Sequence, residues 1–272
     1  MKVLVTGGSG HLGRTIVAGL RERQDDVRVL ARRPGDEDSV EWFRGDLSTG
    51  AGVEDAVVGV DALIHAATNS PAAQRGGFTI VDFVHSPKDV DVDGTKTLLA
   101  AAEHEDVRHF VHVSIVGLEH MAPINPYARV KLAAEGVVRE SNLLWSIVRA
   151  TGFYWLLDRM LAKMARRRAL WLPADVRMQA VDSDEFAAFA LEVLDRGRGG
   201  EQPDFVGPET LTMQELAEQY LAERKLERRI RSAPIPRRFK RALDAGNTSM
   251  TGIRGERTWQ QWLRSHPPAA DA

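Results

Sequence analysis

The sequence predicts an α/β protein built on a doubly wound parallel sheet, with a small lobe added at the carboxyl end. Three observations carry this reading. Short β-rich apolar runs alternate with amphipathic helical stretches as far as Arg149, the first run opens onto a turn of spaced glycines, and the alternation loosens beyond Thr151. Strands that alternate with helices pack side by side through right-handed crossovers, which makes the sheet parallel. No fixed-period repeat or low-complexity tract competes.

The first run, Lys2 to Thr6, leads into Gly7-Gly8-Ser9-Gly10-His11-Leu12-Gly13. Glycine suits each of three places for a different reason. Gly7 turns the chain sharply off the strand, Gly10 lets the backbone approach a pyrophosphate, and Gly13 lets the next helix pack closely on the strand. The amino end of that helix offers unpaired N–H groups and a positive dipole end to phosphates. Together these make a dinucleotide cradle in a Rossmann fold, with Thr6, Gly7, Gly10, His11, Leu12 and Gly13 as its candidate cofactor contacts. The expected division is 1–151 for the NAD(P)-binding core and 152–272 for a mixed region that completes the core and forms a substrate lobe.

After the amphipathic stretch Arg14 to Arg23 comes a second strand, Val27 to Ala31, whose exit faces an adenosine ribose. An acid there holds the ribose hydroxyls of NAD, whereas arginine accommodates a 2′-phosphate. Arg32 and Arg33 occupy the position, so NADP(H) is favoured over NAD(H). The plainer alternative is a solvated loop with Asp36, Glu37 and Asp38 as counter-charges. Val40 to Arg44 reads as a third strand followed by Gly45-Asp46-Leu47. Asp46 either accepts a hydrogen bond from the adenine amino group, with Leu47 beside it, or caps the helical segment that runs to Val58. In the fourth strand and its exit, Val60 to Ala67, the small Ala66 and Ala67 let a cofactor lie against the backbone. His65 reads as a packed strand-end residue.

The stretch Thr68 to Asp89 is a long irregular insertion, and Phe78, Ile80, Val81, Phe83 and Val84 are apolar enough to line a substrate pocket or a subunit contact. A helix follows over Val90 to His104, then a fifth strand ending at Ser114, a helix beginning at Pro126, and a sixth strand over Leu144 to Arg149. Beyond these lie helical stretches over Phe153 to Arg168, Asp184 to Leu194, and Thr212 to Leu226, the last opened by a Thr212/Glu215 capping box. The basic run from Arg224 to Arg241, interrupted by Pro234 and Pro236, reads as a solvated face, with an anionic substrate or partner as the alternative. Pro267 to Ala272 is expected to fray.

Composition narrows the class further. A hydrophobic content of 43% and a charged content of 27% are those of an ordinary globular protein, and a net charge of −2 provides no field for nucleic acid or membrane. The absence of cysteine excludes disulfides, cysteine-ligated zinc and thiol catalysis, and no metal site is expected. With no apolar span of membrane length and no signal peptide, the expected location is cytoplasmic.

Chemistry is expected from Tyr127, Lys131 and Ser114. Tyr127 and Lys131 are four residues apart on one helix, so they share a face. A nearby ammonium and a cationic nicotinamide both favour the phenolate and would bring tyrosine into range as a general acid or base on a small alcohol or carbonyl substrate. Lys131 could also hold the nicotinamide ribose. Ser114, at a strand's carboxyl end, could polarise the same substrate oxygen.

The glycine turn, Gly45-Asp46-Leu47, His65-Ala66-Ala67, Ser114 and Tyr127-x-x-x-Lys131 together resemble the short-chain dehydrogenase/reductase superfamily. Val92-Asp93-Gly94-Thr95, Val148 to Phe153 and Thr258-Trp259-x-x-Trp262-Leu263 are similar to its extended and atypical branches, including NmrA-like proteins and NAD-dependent epimerase/dehydratases. The resemblance implies an oxidoreductase with Tyr127 as acid/base, Lys131 as its partner and Ser114 as the orienting hydroxyl. It also allows an epimerase or dehydratase with retained NAD, a non-catalytic NADP(H) sensor, and a homodimer built on helices that flank the sheet. Two residues depart from the pattern: Ile115 stands where a second hydroxyl residue is common, and Asp91 where asparagine is.

Overall fold

The computed structural model describes residues 1–33, 35, 39–70 and 86–267. Asp36, Glu37, Asp38, the apolar residues of the 68–89 insertion and the last residues of the tail lie outside them.

The first six strands are β1 (Lys2–Thr6), β2 (Asp26–Ala31), β3 (Glu41–Arg44), β4 (Ala62–His65), β5 (His109–Ile115) and β6 (Trp145–Ala150). They lie in the order β3-β2-β1-β4-β5-β6, all parallel, so the order reverses between β1 and β4. Ligands of such sheets bind at the carboxyl ends of the strands beside that reversal. Val3, Leu4 and Val5 are wholly buried, as a central strand covered on both faces requires. One face is covered by the helices His11–Glu22 and Ser183–Arg196, the other by Val53–Val57, Gly94–His104 and Pro126–Arg139.

The carboxyl half contributes β7 (Ala169–Leu172), β8 (Arg177–Met178), β9 (Gly200–Glu201), β10 (Phe205–Val206), β11 (Leu211–Thr212), β12 (Arg229–Ser232) and β13 (Ile253–Arg254). Strands β9, β10 and β13 join the main sheet beside β6, giving nine parallel strands among the described residues. Two-residue strands carry no alternation, which is why the sequence did not reveal them. The remaining strands form two small sheets, β7 with β12 and β8 with β11. They close over a second core in which Trp259 and Trp262 stack at 5.5 Å and the Trp259 indole donates to the Leu216 carbonyl at 3.1 Å.

One predicted boundary changes. The stretch expected as one helix from Val90 opens with a turn of π-helix, Asp89–Asp93, before Gly94–His104; a Cβ on Gly94 would meet the Leu47 carbonyl oxygen at 2.8 Å. The basic run is ordered structure, comprising β12 and a helix over Arg237–Asn247 that starts directly after Pro236. Among the described residues no helix is long and apolar enough to cross a membrane.

Candidate active site

A cleft of about 580 Å³ runs from the glycine turn, past the ends of β4 and β5, to the second core. At one end the chain packs against itself too tightly for side chains. A Cβ on Gly13 would lie 2.0 Å from the Gly7 carbonyl oxygen, and one on Gly7, where φ is +75°, would lie 2.7 Å from the Ala67 nitrogen. Gly10 differs: among the described residues its Cβ would meet only the Gly7 oxygen, at 3.2 Å, so the bare backbone there is turned to the cleft. The helix that follows has Gly10 as its cap, no side-chain cap and no acid in its first turn. Its free N–H groups suit a pyrophosphate, and the cradle fits a dinucleotide.

Thr6, by contrast, is buried behind the turn, where its hydroxyl meets His65 Nδ1 at 2.6 Å. His11 and Leu12 line the cleft, and the His11 ring stacks on Trp155 at 4.6 Å, linking the core to the second lobe. Arg32, Asp46, Leu47, Ala66 and Ala67 also line it; Arg33 is exposed and is not among the lining residues. Asp46 does not cap the 53–57 helix, which starts from Gly52 at φ +70°. Its carboxylate accepts from the Ser48 hydroxyl at 2.7 Å and the Ser48 amide at 2.9 Å, which hold it below the usual carboxylate range, and the Arg32 charge adds to this.

At the other end stand Tyr127 and Lys131. Asn125 accepts from the Tyr127 amide at 2.9 Å and Pro126 supplies the first helical residue, so the helix start is set and the phenol is aimed into the cleft. Lys131 is buried; its ammonium donates to the Val113 carbonyl at 3.1 Å and lies 3.7 Å from the carboxylate of Asp91, itself 1% exposed. Burial lowers the Lys131 titration, and Asp91 and then Glu135 oppose that. Asp91 also accepts from Thr68 Oγ1 at 2.6 Å and from the Asn69 amide at 2.9 Å. The Thr68 hydroxyl has one proton, and it goes to Asp91. In the 2.8 Å contact between Tyr127 and Thr68 the phenol therefore donates.

This corrects the expected electrostatics of Tyr127. Its titration is raised, first by burial and then by the Asp91 charge, which outweigh the neighbouring Thr68 and Ser70 hydroxyls. The Lys131 ammonium expected to lower it is engaged with Asp91 instead.

Ser114 lines the same cleft, but no hydrogen bond joins it to Tyr127. Its hydroxyl is buried and lies near the Glu135 carboxylate without a hydrogen bond of ordinary geometry. Both Glu135 oxygens are taken by Arg149, at 2.8 and 2.7 Å, and one also by Arg139 at 2.8 Å. Behind the site, His65 Nε2 meets Thr95 Oγ1 at 2.9 Å.

Sequence reasoning missed Thr68 as a partner of Tyr127, as well as the apolar wall made by Leu118, Met121, Trp155 and Met178 with Gly246 and Asn247. Asp91 carried a signal, as an acid where asparagine is usual; Gly246 and Asn247 carried none. Among the described residues no group of three or more His, Cys, Asp or Glu could hold a metal.

A glycine turn at a sheet reversal, an open helix end and a Tyr–Lys pair on one cleft define a nucleotide-binding protein of the short-chain dehydrogenase/reductase class. The chain belongs to the NAD(P)H-binding family, which it matches over residues 7–196. It is 30% identical over 308 aligned residues to the 2-alkyl-3-oxoalkanoate reductase of Stenotrophomonas maltophilia, covering 98% of this chain and 86% of that protein. It is 27% identical over 201 residues to the Photosystem II assembly factor Ycf39 of Cyanophora paradoxa, covering 71% of this chain and only 59% of that relative. A solved structure of a short-chain dehydrogenase/reductase superfamily protein from Agrobacterium tumefaciens, with bound NAD, has a TM-score of 0.72 at 22% identity over 97% of this chain and 95% of that one; it shares the fold.

Proposed function

We propose that this protein is an NADP(H)-dependent oxidoreductase acting on a small carbonyl or alcohol. One observation carries the proposal: a single cleft joins the glycine turn to Tyr127, Lys131 and an apolar wall. Nicotinamide dinucleotide, when bound, supplies or accepts the hydride. Gly7, Gly10 and Gly13 with the open helix end would hold its pyrophosphate, Arg32 its 2′-phosphate, and Lys131 the nicotinamide ribose. Tyr127 transfers the proton to or from the substrate oxygen, and to do so its hydroxyl must turn from Thr68 toward the cleft. Ser114 orients that oxygen. The lobe within 152–272 contributes Trp155 and Met178 to the apolar wall, which keeps water from the reacting atoms.

One feature favours a second reading, that of a non-catalytic NADP(H) sensor. The Tyr127 proton is committed to Thr68 and its titration is raised rather than lowered, so the phenol is poised as a structural donor. A relative at 27% identity that carries the name of an assembly factor is in keeping with this. Calorimetric titration with NADPH and NADH, followed by a carbonyl screen of wild type and Tyr127→Phe, separates the two. The oxidoreductase reading expects NADPH to bind more tightly and Tyr127→Phe to keep that affinity while losing turnover by at least about a hundredfold. Equal turnover in wild type and variant would remove Tyr127 as acid/base.

A further inference from the structure

The basic run that the cofactor cleft leaves unused builds a second concavity, of about 470 Å³, lined by Arg177, Arg237, Lys240, Arg241 and one acid, Asp244. Arg237, Lys240 and Arg241 are spaced i, i+3 and i+4 on the helix Arg237–Asn247, which puts them on one face, and Arg177 approaches from β8. The acid is already spent: Asp244 accepts from Lys240 Nζ at 2.6 Å and from the Arg177 amide at 2.8 Å. Asp175 stands at 3.9 Å, on Lys240 again. The guanidinium groups of Arg177, Arg237 and Arg241 make no ion pair with any described residue.

The helix carries its charges the wrong way round. Arg237, Arg238, Lys240 and Arg241 crowd its first five positions, with no acid in the first turn and no side-chain cap. Cations at that end oppose the macrodipole. A bound anion would relieve both the dipole and the mutual repulsion of the side chains.

The concavity also adjoins the main cleft. Arg177 and Ala245 line the one, while their chain neighbours Met178 and Gly246 line the other. The Gln179 amide donates to the Asn247 carbonyl at 3.0 Å and ties the ridge between them. Along the helix, Arg241 precedes Gly246 by five residues, about 7.5 Å of axial rise. A small molecule could therefore place one end at the apolar wall and the other among the arginines.

We propose that this basic concavity is an anion site that holds a phosphate group carried by the substrate, remote from its reacting carbon. The assignment rests on the reading of the main cleft as the substrate site. Three unopposed guanidinium forks and an ammonium match the several acceptor oxygens of a phosphate better than the two of a carboxylate.

The test uses the full chain and the double variant Arg237→Ala/Arg241→Ala, both positions being exposed. Inorganic pyrophosphate is titrated by calorimetry at constant ionic strength into protein whose glycine cradle is first saturated with NADPH, and paired carbonyl compounds with and without a phosphate ester are compared for kcat/KM with NADPH. Pyrophosphate should bind wild type and weaken at least tenfold in the variant, and the wild-type preference for the phosphorylated compound should fall by a similar factor. Equal pyrophosphate affinity in both proteins overturns the site. If pyrophosphate affinity falls but no phosphorylated compound is preferred, the phosphate is not the substrate's. The same conclusion follows if vesicles containing phosphatidylglycerol, rather than the esters, distinguish the two proteins. Turnover of no carbonyl at all, with variant-sensitive pyrophosphate binding retained, counts against the oxidoreductase reading and leaves the anion site standing.

Discussion

Acidification to pH 5 should destabilise this protein through two histidines behind the cleft. His65 and His112 are 1% and 0% exposed, with ring centroids 5.2 Å apart. The tautomer of His65 follows from its partners. Thr95 gives its hydroxyl proton to the Asp91 carbonyl at 2.7 Å, so Nε2 must donate to Thr95, and Nδ1 accepts from Thr6. A second proton on Nδ1 would leave a buried charge with no carboxylate bonded to the ring to offset it. Burial, reinforced by the Lys131 charge, lowers the His65 titration to about 3; burial first, then Lys131, holds His112 well below its ordinary value.

Since the folded values lie below the unfolded one near 6.5, the unfolded chain binds the extra protons. Nothing is lost above pH 6.5, and stability declines as the pH falls from there toward 3. At pH 5.0 the loss from His65 is about 2 kcal/mol, 1.5 pH units at 1.36 kcal/mol each, and His112 adds in the same direction. Urea unfolding followed by tryptophan fluorescence at pH 7.5 and 5.0 measures it. Most carboxylates stay ionised across that window, which isolates the histidines. The double variant His65→Gln/His112→Leu should lose at least about 2 kcal/mol less than wild type on the same change of pH. Identical losses in the two proteins would refute the reasoning.

Three further predictions test the site and its support. Arg32→Ala should weaken NADPH at least tenfold and NADH much less by calorimetry, and an equal loss for both would count against 2′-phosphate recognition. Asp91→Asn removes a charge that raises Tyr127 and releases the Lys131 ammonium, so a pH titration of tyrosinate absorbance in the cofactor-free protein should show one of its three tyrosines ionising at lower pH; an unchanged titration would separate Asp91 from Tyr127. Glu135 is wholly buried and pairs with Arg149 through both oxygens, so Glu135→Gln should cost about 3–5 kcal/mol in chemical denaturation, and a cost below about 1 kcal/mol would show the pair to be dispensable.

Much of this molecule is legible without coordinates because it is local. A glycine turn after an apolar run, a capping box at Thr212 and a Tyr–Lys spacing of four each depend on residues a few positions apart, and covalent geometry with helical periodicity determines what they become. By the same means the alternation through Arg149 determined the parallel core. What the sequence could not determine is which charges meet. Tyr127 and Thr68 are 59 positions apart, as are Thr6 and His65, and only the packing of β1, β4 and the π turn against the Pro126 helix brings Asp91 between Thr68 and Lys131. That placement reversed the expected shift of the phenol, because burial and an unforeseen carboxylate outweigh an ammonium already paired. Likewise, β10 and β13 become strands only where β6 leaves an edge to pair, and the arginines of the 237–247 helix enclose a concavity only once β8 lies across them. Backbone pairing and electrostatics act across space, and tertiary structure alone sets those distances.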